Sequence, residues 1–548
     1  MREIDRLTTV KFATPSLLLM EAAANAAARV IAARFDGNLA GKTVRVLCGL
    51  GNNGGDGAAL ARALWMMNAH VDVVIVGHVD ESKGHARVNF EILRQLAAFA
   101  AGSKTRPSPL SMIECVDVAS WEKTAARRTS YDIRIDALFG TGLTRPLEGV
   151  PLQIVEHLAL LSESRDRSGS CVPLIVSLDI PSGLNANSAE LIGPAVKADV
   201  TVTFTAPKPA NVLPPASDYN GELVVANIGS PPSLLESAGS KLFMTERDDA
   251  REWLVKTRYA PNSFKNTHGH ALVIAGARGY SGAALLTASA AMRAGAGLVT
   301  IATPASLQST IATKAIPEVM TAPLAETDRG AVSDEAIDHV LKLMERTSVV
   351  AIGPGLTSDD ERTRRFVRQI VEKRRTPLVI DADGLNALAP WLDELSGSEE
   401  LPLIITPHPG EMLRMMGATA KESLNDRVAR ASEFAMAHSL ILVLKGAGTL
   451  IAAPDGRVFI NPTGNAGLGT AGAGDTLTGV ITGFLAQAFA MLKDDANALE
   501  ATIAAVYISG MAGDIAARES GMRTMIASDI TGHLSAAFCD LDPQGERP

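Results

Sequence analysis

Cysteine is scarce and scattered. Cys48, Cys115, Cys171 and Cys539 are the only four in 548 residues, and no two form a C-x-x-C pair. This excludes a disulfide scaffold and a zinc knuckle and fits a reducing compartment. Aromatic residues make up only 4 % of the chain, so the interior must be packed from Ala, Val, Ile and Leu, the usual filling of parallel α/β sheets. Positive charge is outweighed: 51 Lys and Arg face 60 Asp and Glu, for a net charge of −9. Such a balance argues against nucleic acid or an anionic membrane as a general partner and leaves small molecules. The opening segment MREIDRLTTVKFATP has no apolar h-region, so no targeting signal is read. The apolar stretch Leu17 to Ala33 carries Glu21, Asn25 and Arg29 at i, i+4 and i+8, a polar stripe on a helix rather than a membrane span. The expectation is a soluble cytoplasmic protein. Short repeats and low-complexity tracts are also missing, and the glycine-rich turn from Gly49 to Gly57 carries no G-K-[ST], which excludes a Walker A site there.

What is present is abundant glycine, 47 residues, placed after short apolar runs. The runs TVRVLC (from Thr43), VDVVIV (from Val71), YDIRIDALF (from Tyr131), PLIVSLDI (from Pro173) and DVTVTF (from Asp199) read as strands, with Ala58 to Asn68 of helical composition between the first two. Strands separated by helices imply crossovers and a mostly parallel sheet. Prolines 207, 209, 214, 215, 231 and 232 then punctuate the chain, and a boundary is expected between Ser230 and Lys241. The pattern restarts with ALVIAG, a small-residue helix over Gly282 to Arg293, LVTIATP, VVAIGPG, TPLVIDADG, LPLIITPHPG and LILVLKGAG. Two α/β domains are therefore expected, 1–235 and 240–548, the first a Rossmann-like three-layer domain. The last residues, DLDPQGERP, are expected to fray.

Each half carries one glycine-rich turn with an aspartate. In the first, Gly49, Gly51 and Gly54 satisfy G-x-G-x-x-G between a strand and a helix, which alone suggests pyrophosphate on a helix N-terminus. Asp56, read as lying inside the loop, argues against a bare diphosphate, because its charge would repel one unless a cation intervened. Asp136 and Asp179 end two further strands and precede Gly140-Thr141-Gly142 and Pro181-Ser182-Gly183. Asn53, Asp136 and Ser182 offer only oxygen ligands, which suits a hard cation rather than zinc. The bland alternative is that these aspartates cap helices or turns. In the second half, Gly472-Ala-Gly474-Asp475 opens a helix. Small residues let backbone N–H groups surround an anion there, and Asp475 can take a proton from a hydroxyl. Lys445-Gly446-Ala447-Gly448-Thr449 suits a nucleotide phosphate. His408 is flanked by Pro407 and Pro409, which fix its backbone towards the crevice. Asp381 and Asp383 either hold magnesium through water or cap their turn.

These strings resemble a known family. GLGNNGGDG, DALFGTGL and LDIPSGL, with Leu19-Met20-Glu21 and TFTAPKPA, are similar in order and spacing to the YjeF-type N-terminal domain, the epimerase of hydrated NAD(P)H. Ala210 stands where that family often has glycine. KNTHGH (from Lys265), YSGA (from Tyr280), RAGAGLV (from Arg293), GPG (from Gly353), DADGLN (from Asp381), TPHPGE (from Thr406) and Asn465 to Asp475 resemble the YjeF-type C-terminal domain, the ADP- or ATP-dependent NAD(P)H-hydrate dehydratase, itself ribokinase-like. Here Ala471 and Ala473 replace residues of the family's G-G-T-G-D.

The resemblance implies a potassium ion at Asn53, Asp136 and Ser182. It implies substrate contacts from Asn52, Asn53, Gly54, Gly55 and Asp56, from Gly140, Thr141, Gly142, Leu143, Thr144, Arg145 and Pro146, and from Asp179, which is assigned as acid/base. Lys208 is either its partner or a solvated surface lysine. In the second half it implies nucleotide contacts from Lys445 to Thr449 and Gly474. The hydrated cofactor (NADHX or NADPHX) would meet Ala283, Gly355, His408 and Asp475, with magnesium accompanying ADP. The absence of a transit pattern points to ADP rather than ATP, and a homo-oligomer is expected. The competing reading is a vitamin or sugar kinase fused to a Rossmann-like domain.

Overall fold

A computed structural model of the chain describes residues 1–102, 109–127, 130–168, 173–417 and 424–545. It divides into two compact units, Met1–Ser240 and Lys241–Pro548.

The first unit is built on a seven-stranded, wholly parallel sheet. Its strands are β1 (Thr43–Cys48), β2 (His70–Val76), β3 (Leu110–Cys115), β4 (Ile133–Ala137), β5 (Leu174–Leu178), β6 (Val200–Phe204) and β7 (Glu222–Ala226), in the order β3-β2-β1-β4-β5-β6-β7. The central strands β1, β4, β5 and β6 are rich in Val and Ile and buried along almost their whole length, as a sheet covered on both faces requires. The order reverses between β1 and β4, and in open α/β sheets the crevice beyond the carboxyl ends at such a reversal receives the ligand. Register sets what meets there. Cys48 lies opposite Ala137 and Asp136 opposite Ser177, so the turns after β1, β4 and β5 emerge together.

The glycine motif corrects one expectation. Asn52 to Asp56 do not form a loop; they are the first turns of the helix Asn52–Met66. The reason is close packing. A methyl group on Gly54 would lie 1.7 Å from the Gly49 carbonyl oxygen, and one on Gly55 would lie 2.8 Å from Ala86 Cα. The glycines let the helix begin immediately beside the strand end, and Asp56 is carried on the helix.

The second unit has a ten-stranded sheet. Its strands are β8 (Leu242–Met244), β9 (His270–Ile274), β10 (Leu298–Pro304), β11 (Met320–Leu324), β12 (Val349–Ile352), β13 (Leu378–Ile380), β14 (Leu403–Ile405), β15 (Ile441–Leu444), β16 (Leu450–Ala452) and β17 (Val458–Ile460), in the order β11-β10-β9-β12-β13-β14-β15-β16-β17-β8. β11 through β15 are mutually parallel; β16 turns back antiparallel, and β8 joins the far edge parallel to β17. Again the order reverses between neighbours, β9 and β12. The helix Ala473–Gln487 crosses the helix Ser281–Arg293 at a contact made of small residues. Methyl groups on Gly479 and Gly483 would fall 2.2 Å from Thr287 O and 2.6 Å from Ala291 O. This approach fixes where the N-terminus of Ala473–Gln487, and hence Asp475, sits.

Three helical stretches, Ser16–Ala33, Ala473–Asp495 and Ala498–Ser520, are long and apolar enough to cross a membrane by length and composition; at least half of each apolar window is buried inside the protein. The C-terminal segment also differs from expectation. Asp542 is buried and accepts hydrogen bonds from the Arg258 guanidinium, so the chain is docked as far as that residue by a charge pair. Gln544 and Gly545 follow in a turn, and 546–548 lie outside the described residues.

Candidate active sites

In the first unit a cavity of about 480 Å³ opens at the reversal point. One wall is made by the first turns of the helix Asn52–Met66 (Asn52, Asn53, Asp56) and by the turns beyond the sheet edge (Gly140, Thr141, Gly142, Asp179 and Lys208). The other is helical and includes Asp5, Leu19, Met20 and His85. Lys208 is only 5 % exposed. Its ammonium forms an ion pair with Asp179 and also donates to Thr203 Oγ1 (2.8 Å) and to the Phe204 carbonyl (3.0 Å). The surface-lysine alternative is thereby removed. Asp179 sits in the left-handed region at φ 66°, as does Thr205 at φ 69°. Such strain in non-glycine residues costs about 1–3 kcal/mol each and persists only where the surroundings over-determine it.

Asp136 is fully buried. It accepts from Ser182 Oγ (2.6 Å), the Ser182 N–H (2.8 Å) and Ser177 Oγ (2.8 Å). Burial pushes its carboxyl above the usual range despite those bonds. Asn53 is the opposite case: both polar atoms of its amide are buried without a hydrogen-bond partner among the described residues. A methyl on Gly140 would lie 3.1 Å from Asp179 Oδ2 and 3.5 Å from Asn53 Cγ, so amide, carboxylate and glycine turn converge. A buried amide with both polar atoms unspent, near carboxylate oxygens, is a donor set that suits a hard cation. Asp56 faces the same cavity, and burial, followed by the charges of Asp179 and Asp5, holds its carboxyl well above the ordinary value.

Not every expected contact residue lies on this cavity. Gly54 and Gly55 are packing positions. Leu143 belongs to a core cluster with Leu147 and Val150, and Thr144, Arg145 and Pro146 are exposed beside it.

In the second unit, β13, β14 and β15 end at matched levels, with Ile380 opposite Ile405 and Ile405 opposite Leu442. The turns after them carry Asp381, His408 and Lys445. Lys445 Nζ bonds Asp381 Oδ1 at 2.6 Å and lies 3.9 Å from Glu411 Oε2. Burial opposes its charge, but Asp381 and Glu411 outweigh that and hold its ammonium above the usual lysine range. Thr478 Oγ1 donates to Asp381 Oδ2 at 2.7 Å, tying this pair to the helix Ala473–Gln487. A methyl on Gly474 would be 3.3 Å from Lys445 Nζ, so the cation faces that helix's N-terminus. Asp475, in the same first turn, has its carboxyl pushed up to about 6, by burial first and then by Asp381, against the pull of Lys445.

A cleft of about 560 Å³ opens beside this helix end. Lys445, Gly446, Ala447, Gly448, Thr449 and Gly474 all line it. Leu468, Leu477, Val506 and Ile530 give it an apolar lining as well. A lysine with loop N–H groups together with apolar side chains is a lining that suits a nucleotide's phosphates and base. His408 is the N-cap of the helix Pro409–Met415, where its Nδ1 accepts from the Gly410 N–H at 2.9 Å. Ala283 and Gly355 face each other, since a methyl on Gly355 would lie 3.0 Å from Ala283 Cβ. Asp383 accepts from the Thr357 N–H at 3.0 Å and from Asn386, which gives it a turn-capping role.

Comparisons with known proteins fall on both units. The family described as YjeF-related protein N-terminus matches residues 16–210, and the family described as NAD(P)H-hydrate dehydratase matches residues 271–535. The bifunctional NAD(P)H-hydrate repair enzyme Nnr of Moorella thermoacetica is 37 % identical over 546 residues, covering 100 % of this chain and 97 % of that protein. This chain belongs to the bifunctional NAD(P)H-hydrate repair enzymes. The corresponding enzyme of Escherichia coli K12 is 33 % identical, covering 89 % of this chain and 84 % of the relative. Among solved structures, the ADP/ATP-dependent NAD(P)H-hydrate dehydratase from Bacillus subtilis, co-crystallised with ATP/Mg2+, is 30 % identical and covers 55 % of this chain and 98 % of its own, with a TM-score of 0.46.

For a NAD(P)H-hydrate repair enzyme, the sequence reading missed two groups of residues. Asp5 and His85 reach the first cavity from helices. Asn461 to Gly464, Leu477, Val506 and Ser509 join the second cleft, alongside Asn465 and Leu468 of the string Asn465 to Asp475. Neither group sits in a glycine-rich string.

Proposed function

We propose that the first unit interconverts the R and S epimers of hydrated NADH and NADPH, and that the second dehydrates the S epimer to NAD(P)H at the expense of ADP, releasing AMP and phosphate. The observation that carries the reading is Asp475, a carboxyl at about 6 on a helix N-terminus, beside the half-buried Lys445 and a nucleotide-sized cleft. A carboxylate with that affinity is ionised at neutral pH yet basic enough to take a hydroxyl proton.

In the second unit, Asp475 removes the proton of the ring hydroxyl as its oxygen attacks the terminal phosphorus of the nucleotide. AMP departs, and the helix N–H groups and Lys445 hold the transferring phosphoryl group. Hydroxide is a poor leaving group and phosphate a good one. The ring nitrogen's electron pair then expels phosphate, and loss of a ring proton restores the reduced nicotinamide. Magnesium with the nucleotide would supply charge neutralisation. Asp381 and Lys445, already paired, would set the position of the phosphates.

In the first unit, Asp179 moves the hydroxyl proton of the hydrate, and the ion pair with Lys208 holds that carboxylate in place. The unspent Asn53 amide, with Asp136 and Ser182, fits a potassium ion, whose charge would steady the substrate's oxygens. The test is recovery of reduced-nicotinamide absorbance from a mixed-epimer hydrate with ADP and magnesium. Complete recovery is expected. A rapid halt midway would mean that the first unit does not exchange epimers, and no recovery would refute the dehydratase assignment.

A further inference from the structure

We infer that Asp5, brought in by the helix Arg2–Phe12, is a second acid–base group of the epimer-exchange cavity, working with Asp179 from a different wall. The inference rests on the epimerase reading above. The lining residues that carry titratable groups are Met1, with its α-amino group, Asp5, Asp56, His85, Asp179 and Lys208. Asp179 is immobile: its backbone is strained and its carboxylate is paired with a buried ammonium. A carboxylate so fixed presents its proton from one direction only. The two epimers carry their hydroxyl on opposite faces of the ring, so exchange needs proton transfer on both.

Asp5 has the properties of the other carrier. It lies on the helical wall rather than the sheet edge. Its Oδ1 is buried and has no hydrogen-bond partner among the described residues, so its bonding capacity is unspent. Burial raises its carboxyl, the α-amino group of Met1 and then Lys208 draw it back, and Asp179 acts on it in turn, so the two carboxyls share one electrostatic field. The helix is not loosely attached, since Thr8 is buried and its Oγ1 bonds Ser230 Oγ at 3.1 Å.

The step balances without a further reactant. Asp179 takes the hydroxyl proton, the carbon–oxygen bond becomes a carbonyl, and the carbon–nitrogen bond breaks with its electron pair left on the nitrogen conjugated with the carboxamide. The aldehyde turns over, the nitrogen re-adds to its other face, and the new alkoxide takes its proton from Asp5. Proton exchange with water resets the two carboxyls, and the reverse direction uses them in opposite roles.

The experiment uses the full chain and mixed-epimer hydrated NADH, following epimer exchange directly without nucleotide. Asp5→Asn should lower the exchange rate at saturation by about 100-fold or more, the usual contribution of a general acid–base group. Affinity for the hydrate should stay within about threefold, and Asp5→Glu should restore part of the rate. An Asp5→Asn enzyme exchanging within about threefold of the parent overturns the inference, as does a loss confined to affinity. Failure of the parent chain itself to exchange epimers would instead refute the epimerase reading.

Discussion

Asp475→Asn separates chemistry from stability in one residue. The folded protein moves this carboxyl from its ordinary 3.8 to about 6. The ionised form is therefore disfavoured in the fold by about 3 kcal/mol relative to the unfolded chain. The sign follows from linkage: because the folded value is raised, the folded state holds its proton more tightly. Stability is lost as pH rises from about 4 to about 6 and is not regained above. Asparagine carries no charge to disfavour, so the variant should be the more stable protein at pH 7–8, by on the order of 1–3 kcal/mol, and the gain should vanish below about pH 4. Dehydration should fall by about 10²–10⁴-fold, the value of a lost general base. In the parent enzyme kcat/KM for dehydration should drop about tenfold from pH 7 to pH 5, following protonation of a group near 6. Urea unfolding monitored at several pH values, paired with the absorbance assay, reads both effects. A variant that is less stable at pH 8, or that retains a tenth of its activity, would refute the assignment of Asp475 as a strained base.

Four further outcomes follow from the geometry. Lys208→Met should abolish epimer exchange and spare dehydration of the S epimer, read by the same absorbance assay without preincubation of the mixed hydrate. Asn53→Ala should make exchange insensitive to replacing potassium with a bulky organic cation, whereas the parent enzyme should lose rate in that medium. Gly54→Ala should destabilise the first unit by about 3 kcal/mol or more, since the added methyl meets a backbone carbonyl that cannot retreat, and a shift in urea midpoint measures it. Val506→Trp should fill the apolar end of the nucleotide cleft and raise KM for ADP while leaving epimer exchange unchanged.

The sequence announced strands where they are buried on both faces. TVRVLC became β1 with its bounds intact, and the runs at 71, 173, 199, 298 and 441 likewise became strands. It was silent where strands lie at edges or are very short: β3, β7, β8, β11, β16 and β17 carry too few alternating or continuous apolar residues to stand out. Glycine strings located both sites but misreported their local form. GNNGGDG reads as a loop because glycine favours loops, yet here it is helix, since the missing side chains admit a neighbouring backbone. Residues that act alone were the least legible. Nothing around Asp5 distinguishes it from the other charges of an amphipathic helix, and only the fold gives it a cavity to face.

The placement of β8 has a consequence for how the second half is made. Leu242–Met244 closes the sheet beside β17, whose residues leave the ribosome roughly two hundred positions later. Until then the edge is unclaimed, so the second half cannot mature progressively from its own start. A fragment beginning near residue 265, where the recognisable strings begin, would expose the β17 rim and tend to self-associate. Gene dissections meant to isolate the dehydratase should cut before Lys241.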